Sequence, residues 1–228
     1  LRTFRVFTRR LQERYGDELD GEGRRALSLL GSAAERVQRQ VAHLLKLAEA
    51  GRVAEPQPNL DLNRLFAELT NDLSGLLLER QAQLHVEAQL PTVWGDRQRL
   101  GEVFQNLIVN GLTYNESPRP TVYVSLRQLT MNNITLAIRD NGVGIAPADQ
   151  SRVWQPFQRS ATSARFAEGQ GLGLAFCRRV VQAHGGQLEL ESAPGQGTTM
   201  LVILPRLAPT QPDQPAKPAP YRALEERL

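Results

Sequence analysis

Two glycine clusters and a pair of asparagines carry the chemistry that this sequence can perform. The clusters are Asp140-Asn141-Gly142-Val143-Gly144-Ile145 and Gly169-Gln170-Gly171-Leu172-Gly173-Leu174. Glycine lets backbone amides approach a ligand closely and adopt positive φ. The second cluster runs straight into an amphipathic pattern, Leu172, Ala175, Phe176, Val180 and Ala183. A glycine turn that opens a helix is an anion site, because its unpaired N–H groups and the positive end of the helix dipole face outward. Asp140 ends the alternating run Ile134, Leu136, Ile138, so a strand would deliver its carboxylate to a pocket. Asn106 and Asn110 sit one turn apart and share a helix face, roughly opposite the core stripe. A carboxamide oxygen can ligate a hard cation such as Mg²⁺ without adding negative charge beside phosphates. In this order the features predict a nucleotide pocket, with the polar segment between the clusters as its lid.

The elements that must position these groups are legible from periodicity. Leu1, Phe4, Phe7, Leu11 and Tyr15 fall on one helix face, and 16–21 reads as a short connection. Residues 22–50 carry a long seam, Ala26, Leu29, Leu30, Ala33, Val37, Val41, Leu44, Leu45 and Ala48, at heptad-like spacing. Such a helix is roughly 43 Å long. Two helices alone are too thin to bury these stripes. Pairing with a second copy as a four-helix bundle would bury them, as would packing against the rest of the chain, and the first is favoured. Residues 51–59, with Pro56 and Pro58, read as a linker. Helical patterns follow over about 60–81 and from Asp96, a fitting N-cap, through 97–114. Leu84, Val86 and Ala88 alternate like a strand. Val122 to Leu126 and Ile134 to Ile138 alternate around Asn132-Asn133, as in a hairpin. Gly185-Gly186 closes the helix after the second cluster, and two strands separated by Gly195 and Gly197 complete the pattern. The expected fold class is α+β, a largely antiparallel or mixed sheet with helices on one face.

Composition narrows the function. The 228 residues have a net charge of +3, and residues 1–52 carry 11 Arg and Lys against 7 Asp and Glu. A solvated helix face accounts for that surplus, and no nucleic-acid partner is expected. No apolar run approaches the ~18 residues of a membrane span, and no signal-peptide pattern is present. The expectation is a cytoplasmic protein with no membrane segment. The single Cys177 excludes an internal disulfide framework and reads as a buried thiol. Five prolines within 207–220 predict a disordered tail over 207–228. The chain does not begin with Met, and its first residues already fit a helix, as in a piece of something longer.

Five motifs in order resemble those of sensor histidine kinases. Asn106-Leu107-Ile108-Val109-Asn110 is similar to their N box and Asp140 to Ile145 to their G1 box. Trp154-Gln155-Pro156-Phe157-Gln158-Arg159 resembles the F box, Gly169 to Leu174 the G2 box, and Gly195-Gln196-Gly197-Thr198-Thr199 the last glycine turn. Residues 1–52 resemble a dimerisation and phosphotransfer hairpin, and Leu1-Arg2-Thr3 with the helix after it looks most like phytochrome-type kinases. The resemblance implies a hairpin domain over 1–52, forming a dimeric four-helix bundle. It implies a catalytic ATP-binding domain over 57–206, a two-layer α/β sandwich of the GHKL ATPase type. The implied activity is transfer of the γ-phosphoryl of Mg-ATP to a histidine, for relay to a response-regulator receiver domain, under an upstream sensor domain.

The resemblance also implies roles. Asp140 would accept a hydrogen bond from the adenine amino group, supported by Thr199 through water. Gly142, Gly144 and Ile145 would admit the base. Asn110, with Asn106, would hold Mg²⁺, and the backbone around Gly169, Gly171, Leu172, Gly173 and Leu174 would cradle phosphates. Phe157 would anchor the lid. Arg159 would reach the γ-phosphate and, with Asn106, is a catalytic candidate. Tyr114 lines the pocket or packs in the core.

Two departures matter. Such kinases often carry a phosphate-touching lysine where Thr113 stands, which leaves Arg159 or Arg165 to substitute. The acceptor histidine would fall just before residue 1, and His43, His85 and His184 read as structural, His184 as a cation at a helix end. Two rivals share the motifs. A hydrolysing GHKL ATPase would place a glutamate where Asn106 stands, and a carboxamide is a poor general base. Glu102, one turn away, reads as a partner for Arg99. A degenerate, non-catalytic dimerising module is the other rival.

Overall fold

The structure, a computed structural model, describes residues 10, 14–15, 20–158, 166 and 171–208. Most of the expected helix over 1–15, and with it the hairpin, lies outside the described residues. So do Arg159, Arg165, Gly169, the tail over 209–228 and the side chain of His43.

A long helix, α1 (Gly21–Glu49), comes first, and Asp20 caps it through its carboxylate to the Gly23 amide at 2.7 Å. β1 (Pro56–Asp61) and β3 (Thr92–Asp96) form a two-stranded antiparallel ribbon. This corrects the expectation of a linker over 51–59. Prolines are tolerated on an edge strand because no inner neighbour needs their missing N–H. Between these strands lie α2 (Leu62–Asp72), α3 (Ser74–Glu79) and β2 (Gln83–Val86). The single helical pattern expected over 60–81 is therefore two helices, broken at the buried Leu73.

After β3 come α4 (Arg97–Thr113), β4 (Thr121–Leu129), β5 (Asn133–Asp140) and the short α5 (Pro147–Gln150). The chain ends in α6 (Gly173–Ala183), β6 (Gln187–Ser192) and β7 (Thr198–Pro205). The sheet order is β2-β4-β5-β7-β6, with β2 parallel to β4 and the other pairs antiparallel. One face buries Val122, Val124, Ile134, Leu136, Ile138, Met200, Val202 and Leu204 against α4 and α6. Phe104 of α4 meets Phe66 of α2 at 4.7 Å between ring centroids, which extends the core under the ribbon. Each such fully buried side chain contributes roughly 1.5–3 kcal/mol.

Asp96 joins three parts of this framework. Its Oδ1 accepts from the Gln98 and Arg99 amides and caps α4, while its Oδ2 accepts from the Ala54 and Glu55 amides of the segment leaving α1. Burial pushes its carboxyl up, but these four amides outweigh that and hold it below the ordinary aspartate range. The Asp96 amide in turn donates to His184 Nε2 at 3.0 Å, and His184 Nδ1 lies 2.7 Å from the Val180 carbonyl. A ring nitrogen that accepts cannot carry a proton, so His184 is the neutral Nδ1–H tautomer. Burial pushes its imidazole below the ordinary range, against smaller opposing effects of Val180 and Asp96. This corrects the expectation of a cationic ring at the helix end: the residue is fully buried, and desolvation overrides the dipole.

Candidate functional site

A cavity of about 310 Å³ opens between α4, the end of β5, the start of α6 and the first residues of β7. Its chemistry is set by Asp140. Oδ1 accepts from the Gly142 amide at 2.8 Å and from the Thr198 amide at 3.0 Å. Among the described residues no hydrogen bond takes Oδ2, so one oxygen is spent on the fold and the other serves the cavity. Burial pushes the carboxyl up to about 6, against the lowering effects of Gly142, Thr198 and Arg139.

Two glycines make this arrangement possible. A Cβ at Gly142 would stand 2.4 Å from the Tyr114 carbonyl oxygen, and one at Gly144 would stand 2.0 Å from that of Ala193. Gly144 also has a φ of +69°, which an L side chain strains. Asn141 serves the framework. Its Oδ1 accepts from the Thr121 amide and from Asn115, and its Nδ2 donates to Ser117 and the Arg119 carbonyl, which ties the α4–β4 loop to the motif. Ile145 is held by its own amide, which donates to Ser192 Oγ at 2.8 Å.

Across the cavity stand the asparagines. Asn106 Nδ2 donates to the Glu102 carbonyl at 2.8 Å. Only the nitrogen can make that bond, and among the described residues no hydrogen bond takes Oδ1; a Cβ on Gly173 would lie 3.4 Å from it. Asn110 lines the same wall. Among the described residues no cluster of three His, Cys, Asp or Glu could hold a metal. Neutral carboxamide oxygens that leave most positions to water and phosphate are nonetheless the donor set that Mg²⁺ accepts. Leu172 gives α6 no side-chain cap, and among the described residues no hydrogen bond takes the first-turn amides, which lie at the cavity.

Residues 95–208 match the family described as histidine kinase-, DNA gyrase B- and HSP90-like ATPases. The chain belongs to that family. It is 30% identical over 204 residues to cyanobacterial phytochrome B of Nostoc sp., covering 90% of this chain and 27% of that protein. It is 35% identical over 199 residues to the probable sensor histidine kinase TcrY of Mycobacterium tuberculosis, covering 86% and 41%. The chain thus spans about a quarter of the phytochromes it matches. The mycobacterial sensor histidine kinase MprB superposes with a TM-score of 0.55 at 30% identity, over 67% of this chain and 97% of that one. Full-length ShkA in complex with AMPPNP shares the fold at a TM-score of 0.66 and 23% identity, over 90% of this chain and 42% of that one. These matches identify a sensor histidine kinase catalytic domain.

Within this domain the structure brings Asn106, Asn110, Tyr114, Asp140, Gly144, Ile145, Gly171, Leu172, Gly173 and Leu174 to one cavity. Gly142 supports it from behind. Tyr114 lines the cavity and meets Phe166 edge-on at 5.5 Å. Phe157 is half exposed and off the cavity wall, with its amide donating to the Gly171 carbonyl at 2.9 Å, so it ties the residues after α5 to those just before α6. Thr199 does not join the cavity. It faces the opposite side of the sheet, beside Tyr123, Arg139 and Glu191, and Thr198 takes the inner place. Strand parity could have found this, since Met200, Val202 and Leu204 point inward and Thr198 shares their phase. Thr113 is buried and off the cavity wall. Glu102 pairs with Arg99 at 3.6 Å, as expected, and also with Lys46 of α1 at 3.4 Å. Lys46 lines the cavity, a placement no local pattern announces.

The raised carboxyl has a consequence for stability. Below pH 3.8 Asp140 is protonated in both states; between there and about 6 the unfolded chain ionises first, so folding loses free energy as pH rises. Asp140→Asn keeps an acceptor for both amides and carries no charge. It is expected to raise stability at pH 8 by on the order of 1–2 kcal/mol in urea unfolding, and by little at pH 3.5. A variant that is less stable than the parent at pH 8 contradicts this reading of the site.

Proposed function

We propose that this chain is the catalytic region of a histidine kinase that binds Mg-ATP in the cavity and transfers the γ-phosphoryl to a histidine. The observation that carries the reading is the carboxylate of Asp140, fixed by two amides with one oxygen left for the cavity. An adenine amino group is the matching donor. Asn106 and Asn110 would hold Mg²⁺, which neutralises phosphate charge when bound. The amides at the start of α6 would cradle the phosphates, and Arg159 would meet the γ-phosphate. Catalysis would rest on positioning and charge neutralisation around a loose transition state. Family membership and the sensor-kinase relatives support this reading.

Transfer is favoured over hydrolysis by what stands near the phosphates. Asn106 has its amide nitrogen committed to Glu102's carbonyl, and Glu102, a turn further back, has its carboxylate paired with Arg99. Neither is placed to activate water. The relay would end on a receiver-domain aspartate, and an upstream sensor domain would govern it. Residues 1–52 would form the dimerisation hairpin, 57–206 the catalytic domain and 207–228 a tail. Leu29, Leu30, Val37, Val41, Leu44 and Leu45 are exposed along α1, which supports pairing with a second copy. No described helix is long and apolar enough to cross a membrane, and the proposed place of action is the cytoplasm.

The natural full-length protein, incubated with magnesium and γ-labelled ATP, is expected to acquire acid-labile, alkali-stable label on histidine. Rapid phosphate release without that label would make it a hydrolytic ATPase, and no ATP binding would leave a dimerising module. In solution the 25.4 kDa chain is expected to weigh twice that mass by light scattering, and a monomer at high concentration contradicts the bundle.

A further inference from the structure

The cavity presents a charge problem. Its described lining holds one carboxylate, Asp140, and one cationic side chain, Lys46. Lys46 belongs to the last turn of α1, outside the sandwich that supplies the rest of the wall. That turn is seated firmly. Ala50 is buried, Leu47 packs on the core, and Arg99 reaches Glu49 at 3.4 Å. The Lys46 ammonium sits 5.7 Å from the Phe176 ring centroid and 3.4 Å from Glu102 Oε1, with its side chain 50% exposed. Glu102 stands one turn before Asn106, whose Oδ1 faces the start of α6.

We propose that Lys46 is a phosphate-binding residue of the nucleotide site, and that it exchanges Glu102 for the ligand's phosphates when the cavity fills. The proposal rests on the nucleotide reading above and adds a residue to it. Three features favour the exchange. Glu102 keeps its ion pair with Arg99, at 3.6 Å, after Lys46 leaves. An ammonium on a flexible four-carbon stem can change partners without moving the helix. The multiply charged phosphates are a stronger partner than one carboxylate already shared. Because Lys46 rides on α1, phosphate binding and docking of α1 on the sandwich must strengthen each other by the same factor. The cation missing at Thr113 is thus supplied by α1, and the site reads that helix's position.

The test is calorimetric titration of the 228-residue chain and its Lys46→Met variant with Mg-ATP and, separately, with adenosine. Lys46→Met is expected to weaken Mg-ATP by roughly 5–20-fold while adenosine stays within about twofold, which also reports an intact cavity. Unchanged Mg-ATP affinity overturns the proposal and leaves Lys46 as a partner of Glu102 alone. Equal losses for both ligands overturn it too, since they mark damaged packing. If the parent chain binds neither ligand, the nucleotide reading itself fails.

Discussion

A carboxylate withdrawn from water at the end of a strand is the constraint on which the site depends. Asp140 is stable there only because the chain folds back twice to meet it, through the Gly142 and Thr198 amides. The first return needs the turn to run close under the Tyr114 carbonyl. The second needs β7 to enter the sheet in the register that pairs Ile138 with Met200. Both oxygens cannot be satisfied this way, and the buried acid titrates near 6 in place of its ordinary value. A fold optimised for stability alone would place an amide there. The retained acid is the mark of a group kept for a ligand, since functional sites are where such penalties persist.

A second node, Asp96 with His184, holds the opposite end of the sandwich. Its four amide partners lie in two segments, the start of α4 and the residues that leave α1, and the neutral imidazole locks α6 to both. The helix that carries Asn106 and Asn110, the helix whose first turn faces the cavity, and the chain arriving from α1 therefore share one hydrogen-bonded knot. The last turn of α1 also reaches the cavity directly, through Lys46.

Much of this was legible in the sequence because it is local. Heptad-like spacing predicted α1, a helical apolar face predicted α4, alternation predicted the β4–β5 hairpin, and the glycine clusters located the cavity's floor and rim. What was missed depends on distance or parity. β1 looked like a linker because its prolines argue against a strand until a single-sided partner, β3, is known. Thr199 follows from the family motif, whereas the phase of Met200 and Val202 puts the neighbouring Thr198 on the cavity side. His184 was read from its place in a helix, and burial by residues far along the chain reversed its charge state. Lys46 reaches the cavity from a helix separated from Asn106 by sixty residues, which no window of sequence can show.

The central claim is that one oxygen of Asp140 waits for a hydrogen-bond donor on the base. Comparing the affinities of Mg-ATP and Mg-inosine triphosphate, which carries a carbonyl where adenine carries its amino group, tests this most directly. The expected result is a preference for ATP of roughly tenfold or more, erased by Asp140→Asn. Equal affinity for the two nucleotides, or a preference that survives Asp140→Asn, would contradict it.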